Sequence, residues 1–173
     1  NAQCRALADQ LALVGTAATV RRAGLLATPE ARAAVLGLRL FIDERDRLAA
    51  AELARLIRYP DDPNGWLDAV LEDPAALPFS SLGFHERLRD ARALFPAAGP
   101  LAALDAAVDA LELREKVAQW GASHHRYANL DALRAHAVDY VGRADADGSA
   151  ATPAGLIAYF EFLEDQALDA QAT

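Results

Sequence analysis

Along nearly the whole chain, apolar residues recur every three or four positions, and strict alternation is almost absent. A period near 3.6 gathers such residues on one face of a helix, and that face must be buried against something. Helix start signals recur with the pattern. "TPEARAAVLGLRLFI" opens on Thr28, which can cap, and Pro29, whose missing N–H costs nothing in a first turn. Glu30 suits the positive end of the helix dipole. Val35, Leu38 and Ile42 make up its predicted apolar stripe.

The same reading extends in both directions. "CRALADQLALVG" spaces Leu7, Leu11 and Val14 along one face and stops at Gly15. "TAATVRRAGLL" reads as extended or loop, with β-branched Thr19 and Val20 marking the one plausible strand. Asp46 caps "RLAAAELARLIRY", with Leu48, Leu53, Leu56 and Ile57 predicted to face inward. "PDDPNG" is a turn by composition, "WLDAVL" a short helix and "EDPAALPF" a second loop. Ser80 or Ser81 starts "LGFHERLRDARALF", and Gly99-Pro100 opens one helix running through "LAALDAAVDALELREKVAQW". Asn129 is the predicted N-cap of the next helix, on which Leu130, Leu133 and Ala137 share a face. Thr152-Pro153 repeats the Thr-Pro start, with Ile157, Phe160 and Leu163 as the stripe. The predicted fold is all-α: a compact bundle of about eight helices with at most one short strand near the N-terminus.

A chain of 173 residues can bury a core of useful size without disulfides or metals. The single cysteine, Cys4, forms no internal disulfide, so a reducing cytoplasm is the simplest location. No apolar run approaches the roughly 20 residues that span a bilayer, so no membrane partner is expected. Asn1-Ala2 fit no element and read as a cloning remnant, and the lack of methionine reads as the mark of a fragment.

The net charge of −8 is unevenly spread. Residues 1–60 carry nine arginines against six acids, whereas residues 61–173 carry eight basic side chains against nineteen acidic ones. Phosphate contacts need Lys and Arg, so general nucleic-acid binding is disfavoured and any contact should be local. It should come from the first third of the chain or from the region of Arg126. The simplest role of the acidic faces is to keep an Ala-rich bundle soluble.

Sites of chemistry are hard to assemble. No GxxxxGK[ST] loop, GxGxxG, HExxH, GxSxG or CxxC is present. Three of the four histidines fall within "HHRYANLDALRAHAVDYV". His124 and His125 read as a polar approach loop. His125 and His136 share a helical face but lie some 16 Å apart at 1.5 Å per residue, too far to hold one metal. The acid pairs Asp61-Asp62 and Glu164-Asp165 fall in a turn and at a helix end, where solvation accounts for them. No nucleophile–base constellation emerges, so no catalytic residue, metal or cofactor is assigned to the chain itself.

Two separated blocks nevertheless resemble a known family. "RYANLDALRAHAVDYV", followed by "SAATPAGLIAYFEFLED", is similar to the R-x-x-N-L-x-x-L helix and its G-x-x-x-[FL]-x-x-[FY]-[LI] successor in UvrD/Rep DNA helicases. AddA- and RecB-like nuclease-helicases carry a similar pair. Upstream, "GLLATPEARAAVLGLRLFIDERDRLAAAELARLI" resembles the passage from the second motor subdomain of that family into its inserted helical 2B subdomain. The likeness covers most of residues 5–165. It implies that residues 1–27 are a flanking segment from the motor subdomain and that residues 28–173 form a 2B-like accessory domain. It further implies a parent that hydrolyses ATP with Mg and moves 3′ to 5′ on single-stranded DNA in recombination and repair. The partners implied are the motor in cis and DNA, the latter weakly or through the parent, with the fragment itself a monomer. Many such domains dock on duplex with a G-[IV]-G-type turn, where this chain reads "RYPDDPNGWLDAV". Arg21, Arg22, Arg126 and Arg134 are the candidate contacts to DNA or motor. Arg21 and Arg22 are equally readable as a solvated loop pair, and Arg126 as a brace against the motor. A free-standing helical module that binds protein through an Ala/Leu groove is the alternative reading. A small helical enzyme comes third.

Overall fold

The computed structural model describes residues 24–58, 71, 83–94 and 97–169. The first predicted helix, Thr19 and Val20, the turn at 60–65 and the loop at 72–79 lie outside the described residues, as does "WLDAVL" apart from Leu71. Seven α-helices and one 3₁₀ turn, with no strand, make up the described residues. The 3₁₀ turn is Leu25–Ala27, and α1 to α7 are Pro29–Ile42, Arg47–Arg58, Gly83–Leu94, Pro100–Ala110, Leu113–Gln119, Ser123–Ala146 and Pro153–Asp165. The all-α architecture stands.

Helix α1 is the centre. It packs against the 3₁₀ turn and every other described helix. Its predicted single stripe is therefore too narrow: Ala31, Ala33, Ala34, Leu36, Leu38, Leu40 and Phe41 are all buried. Ile42, assigned to the stripe, is instead 41% exposed. A helix enclosed on most sides has no solvent face to define a stripe. Small residues let neighbours approach: a Cβ added to Gly37 would sit 2.6 Å from Cδ1 of Leu111.

Helix α2 lies on α1 through Ala49, Ala50, Leu53 and Ala54. Leu48, predicted to face inward, is 73% exposed, because the alanines let α2 approach on a neighbouring face. Asp46 Oδ1 accepts from Ala49 N at 2.9 Å and caps α2. Helix α3 closes two helix ends with arginines. Arg92 donates to the Phe41 carbonyl at 2.6 Å and to the Leu40 carbonyl, and Arg87 donates to the Ala110 carbonyl at 2.6 Å. Those carbonyls belong to the last turns of α1 and α4, which lack partners within their own helices.

The single helix predicted through 101–120 is broken in two. Glu112 adopts a left-handed conformation (φ 49°) between α4 and α5. The break re-aims the chain, so that Leu111 and Leu113 are both fully buried. Helix α6 starts at Ser123, six residues before the predicted cap, and has α5 and α7 as neighbours. The ends of the described chain meet. Leu25 N donates to the Asp169 carbonyl at 2.6 Å, and Leu26 N donates to Asp169 Oδ2 at 2.8 Å. Leu25 and Leu26 lie before the boundary expected at residue 28, yet both belong to the core.

Candidate functional site

Thr28 and Pro29 place Glu30 in the first turn of α1. A glutamate there would ordinarily reach solvent. Here α6 crosses that end of α1, and Glu30 is only 2% exposed. Both of its oxygens are satisfied from α6. Arg126 Nη1 donates to Oε2 at 2.5 Å, and Asn129 Nδ2 donates to Oε1 at 2.7 Å. Arg126 Nε donates to the Gly121 carbonyl at 2.9 Å, and its guanidinium lies 5.6 Å from the centre of the Trp120 ring. Arg126 is thus held by a carboxylate, a carbonyl and an aromatic face at once.

These contacts revise two assignments. Asn129 is not an N-cap. It is buried within α6, and its side chain bridges to α1, because Gly121 (φ 76°) and Ala122 (φ 48°) turn the chain early enough to start the helix at Ser123. His124 and His125 consequently stand, exposed, in the first turn of α6 and not in a loop. Thr28 does precede α1, but its hydroxyl donates to the Leu25 carbonyl at 2.6 Å and makes no cap bond to the helix. Thr152 accepts from Gly155 N at 3.0 Å at the start of α7.

Arg134 sits two turns beyond Arg126 on α6, about 12 Å along the axis. It forms a fork with Asp105 of α4, Nε to Oδ1 at 2.9 Å and Nη2 to Oδ2 at 2.9 Å. That bond to Asp105 raises the Arg134 pKa further, although both groups are well exposed. Beside the fork is a cleft of about 280 Å³ lined by Leu104, Val108, Leu130 and Leu133, with Arg114 and Asp109 at its edge. Arg126 and Arg134 therefore serve different joints and do not converge. Arg21 and Arg22 lie outside the described residues. Reading Glu30 only as a dipole partner missed its role. The one available signal was a polar Asn129 between apolar Tyr127 and Leu130, which is unusual for a face turned to a core.

Among the described residues no group of three or more His, Cys, Asp or Glu side chains is placed to hold a metal ion. Every buried side-chain nitrogen or oxygen described has a hydrogen-bond partner. No helix among the described residues is long and apolar enough to cross a membrane. Fold and site together define an all-α bundle with a buried polar joint between two of its helices. No protein-family model matches the chain, and no curated protein or solved structure is significantly similar to it.

Proposed function

We propose that this chain is the inserted helical accessory domain of a UvrD/Rep-type superfamily 1 DNA helicase or helicase-nuclease. In this reading it acts in the cytoplasm, joined in cis to a motor that uses ATP and Mg, and it modulates unwinding during recombination and repair. One observation carries the reading. The two sequence blocks that resemble the family lie far apart in the chain but pack against each other, with a buried polar contact between them. Glu30, from the upstream block, is held by Arg126 and Asn129 of the R-x-x-N-L block, 96 and 99 residues away. Leu130 and Leu133 of the same block are buried beside them. The blocks thus belong to one packed unit, which favours a common origin over two chance matches. The role of Arg126 within this reading is internal bracing.

The test is the native gene on both sides of this segment. A GxxxxGK[ST] loop upstream and further motor motifs downstream are the expected result, together with no ATP hydrolysis by the purified chain. Start and stop codons next to residues 1 and 173, or ATP turnover by the chain alone, would overturn the proposal.

A further inference from the structure

The cleft between α4, α5 and α6 has an apolar floor and a charged rim. Leu104, Leu130 and Leu133 form the floor, with half-buried Val108 beside them. Two ion pairs lie at the rim. Arg134 is forked to Asp105, and Arg114 Nη2 donates to Asp131 Oδ1 at 2.7 Å. The Tyr127 hydroxyl donates to the Arg114 carbonyl at 3.1 Å and ties α5 to α6 there. Both arginines are thus neutralised by carboxylates of the chain itself. Asp109 differs. It lines the cleft, it is exposed, and its carboxylate has no partner among the described residues. Asp105, Asp109 and Asp131 therefore stand against Arg114 and Arg134, which leaves one negative charge in excess on a molecule of net charge −8.

We propose that this cleft binds a small organic cation, with an ammonium head on Asp109 and an aromatic or short alkyl body over Val108 and the leucines. An anion would have to displace Asp105 or Asp131 from its arginine. A metal ion needs more than one free carboxylate, and among the described residues no group of three or more His, Cys, Asp or Glu is placed to hold one. The cleft volume of about 280 Å³ lies near the lower end for small-molecule sites. A protein partner fits less well. Protein interfaces have an apolar centre, and none of the exposed large apolar side chains lines this cleft. Because Asp109 is exposed, its ion pair contributes little alone, and the apolar body supplies most of the affinity. Cation binding here is independent of the helicase reading: the flanking gene decides parentage, and titration decides this cleft.

The experiment titrates the full chain with 2-phenylethylammonium and follows amide and methyl NMR shifts. Saturable shifts at Leu104, Val108, Asp109, Leu130 and Leu133 are expected, with a dissociation constant of about 1 mM or tighter at low salt. Ethylammonium, which lacks the body, and 2-phenylethanol, which lacks the charge, should each bind about fivefold more weakly, and 3-phenylpropionate more weakly still. Asp109→Asn should weaken the ammonium probe about fivefold and leave 2-phenylethanol within about twofold. Val108→Trp fills the cleft and should abolish binding of both. Asp145→Asn is the control of equal charge change, about 16 Å further along α6 than Arg134, and should bind within about twofold of wild type. It also keeps the test decisive if the tryptophan variant misfolds, because Asp109 and Asp145 are both exposed. No saturable shift up to about ten times the expected dissociation constant overturns the proposal. Equal losses in Asp109→Asn and Asp145→Asn overturn it too, since they would report net charge alone. Tighter binding of 3-phenylpropionate than of the ammonium probe would assign the cleft to anions. Far tighter binding of a short peptide of leucine and lysine would assign it to a protein partner, and either result overturns the proposal equally.

Discussion

Glu30 concentrates most of the local energetics. Its carboxylate is almost fully covered, and it receives one hydrogen bond from a guanidinium and one from an amide. Burying a charge is costly, so the pair is not itself a large source of stability. Removing one partner is a different matter, because the remaining groups stay buried without their acceptor. Glu30→Ala should destabilise the chain by about 3 kcal/mol, the low end for a broken buried pair because Arg126 retains some solvent contact. Glu30→Gln, which keeps the shape and one acceptor, should cost clearly less. Urea unfolding midpoints check both, and a loss below about 1 kcal/mol for the alanine variant would mean that the joint is dispensable. Asp46 is the complementary case at the surface. Burial works against its charge, but the Ala49 N–H and the Arg39 guanidinium outweigh that cost and hold its carboxyl below the usual range. Its folded pKa is depressed, so its contribution is present above the unfolded value near 3.9 and fades as pH falls through the folded one. Asp46→Ala should therefore cost about 1 kcal/mol at neutral pH, and the gap to wild type should narrow below about pH 4. A gap unchanged down to pH 2 to 3 would show that the cap works without its charge.

At the scale of elements, close packing around α1 outweighs local preference. Gly37 lies inside a helix, where glycine is about 1 kcal/mol worse than alanine. Leu111 occupies the space that a methyl group would need, and Leu111 is itself fully buried. Overpacking commonly costs about 1–3 kcal/mol, so Gly37→Ala should be net destabilising by roughly 1 kcal/mol. A thermal melt that rises in the alanine variant would show that Leu111 moves aside freely. The break at Glu112 follows the same logic. A left-handed non-glycine residue is strained by about 1–2 kcal/mol, and the structure accepts it because it lets Leu111 and Leu113 both reach the core. Side-chain pairing adds support, since Lys116 and Arg87 flank the Glu112 carboxylate and hold its pKa below the usual range. Neither Gly37 nor Glu112 carries a local signal for these roles. The run from Leu101 to Trp120 is helical by every local criterion, so its break was invisible in sequence.

At the scale of the molecule, six described helices pack around the seventh, α1, and the described chain returns to its starting point through Asp169. Much of this was legible beforehand. Periodicity announced helices at 29–42, 47–58, 83–94 and 153–165, because a 3.6-residue repeat and a Thr-Pro or Asp start are encoded within a few neighbouring residues. The uneven charge was equally plain. Arg126 and Asn129 stood out as well, but not for the contact with Glu30 that they share. Sequence alone thus determined the all-α class, the starts of several helices and the charge balance, since each depends on composition or on residues close in the chain. Tertiary structure decided which helix is central, where the run from Leu101 to Trp120 breaks and which acid each paired arginine meets. Those outcomes depend on contacts between residues tens of positions apart, and no local pattern encodes a partner at that distance.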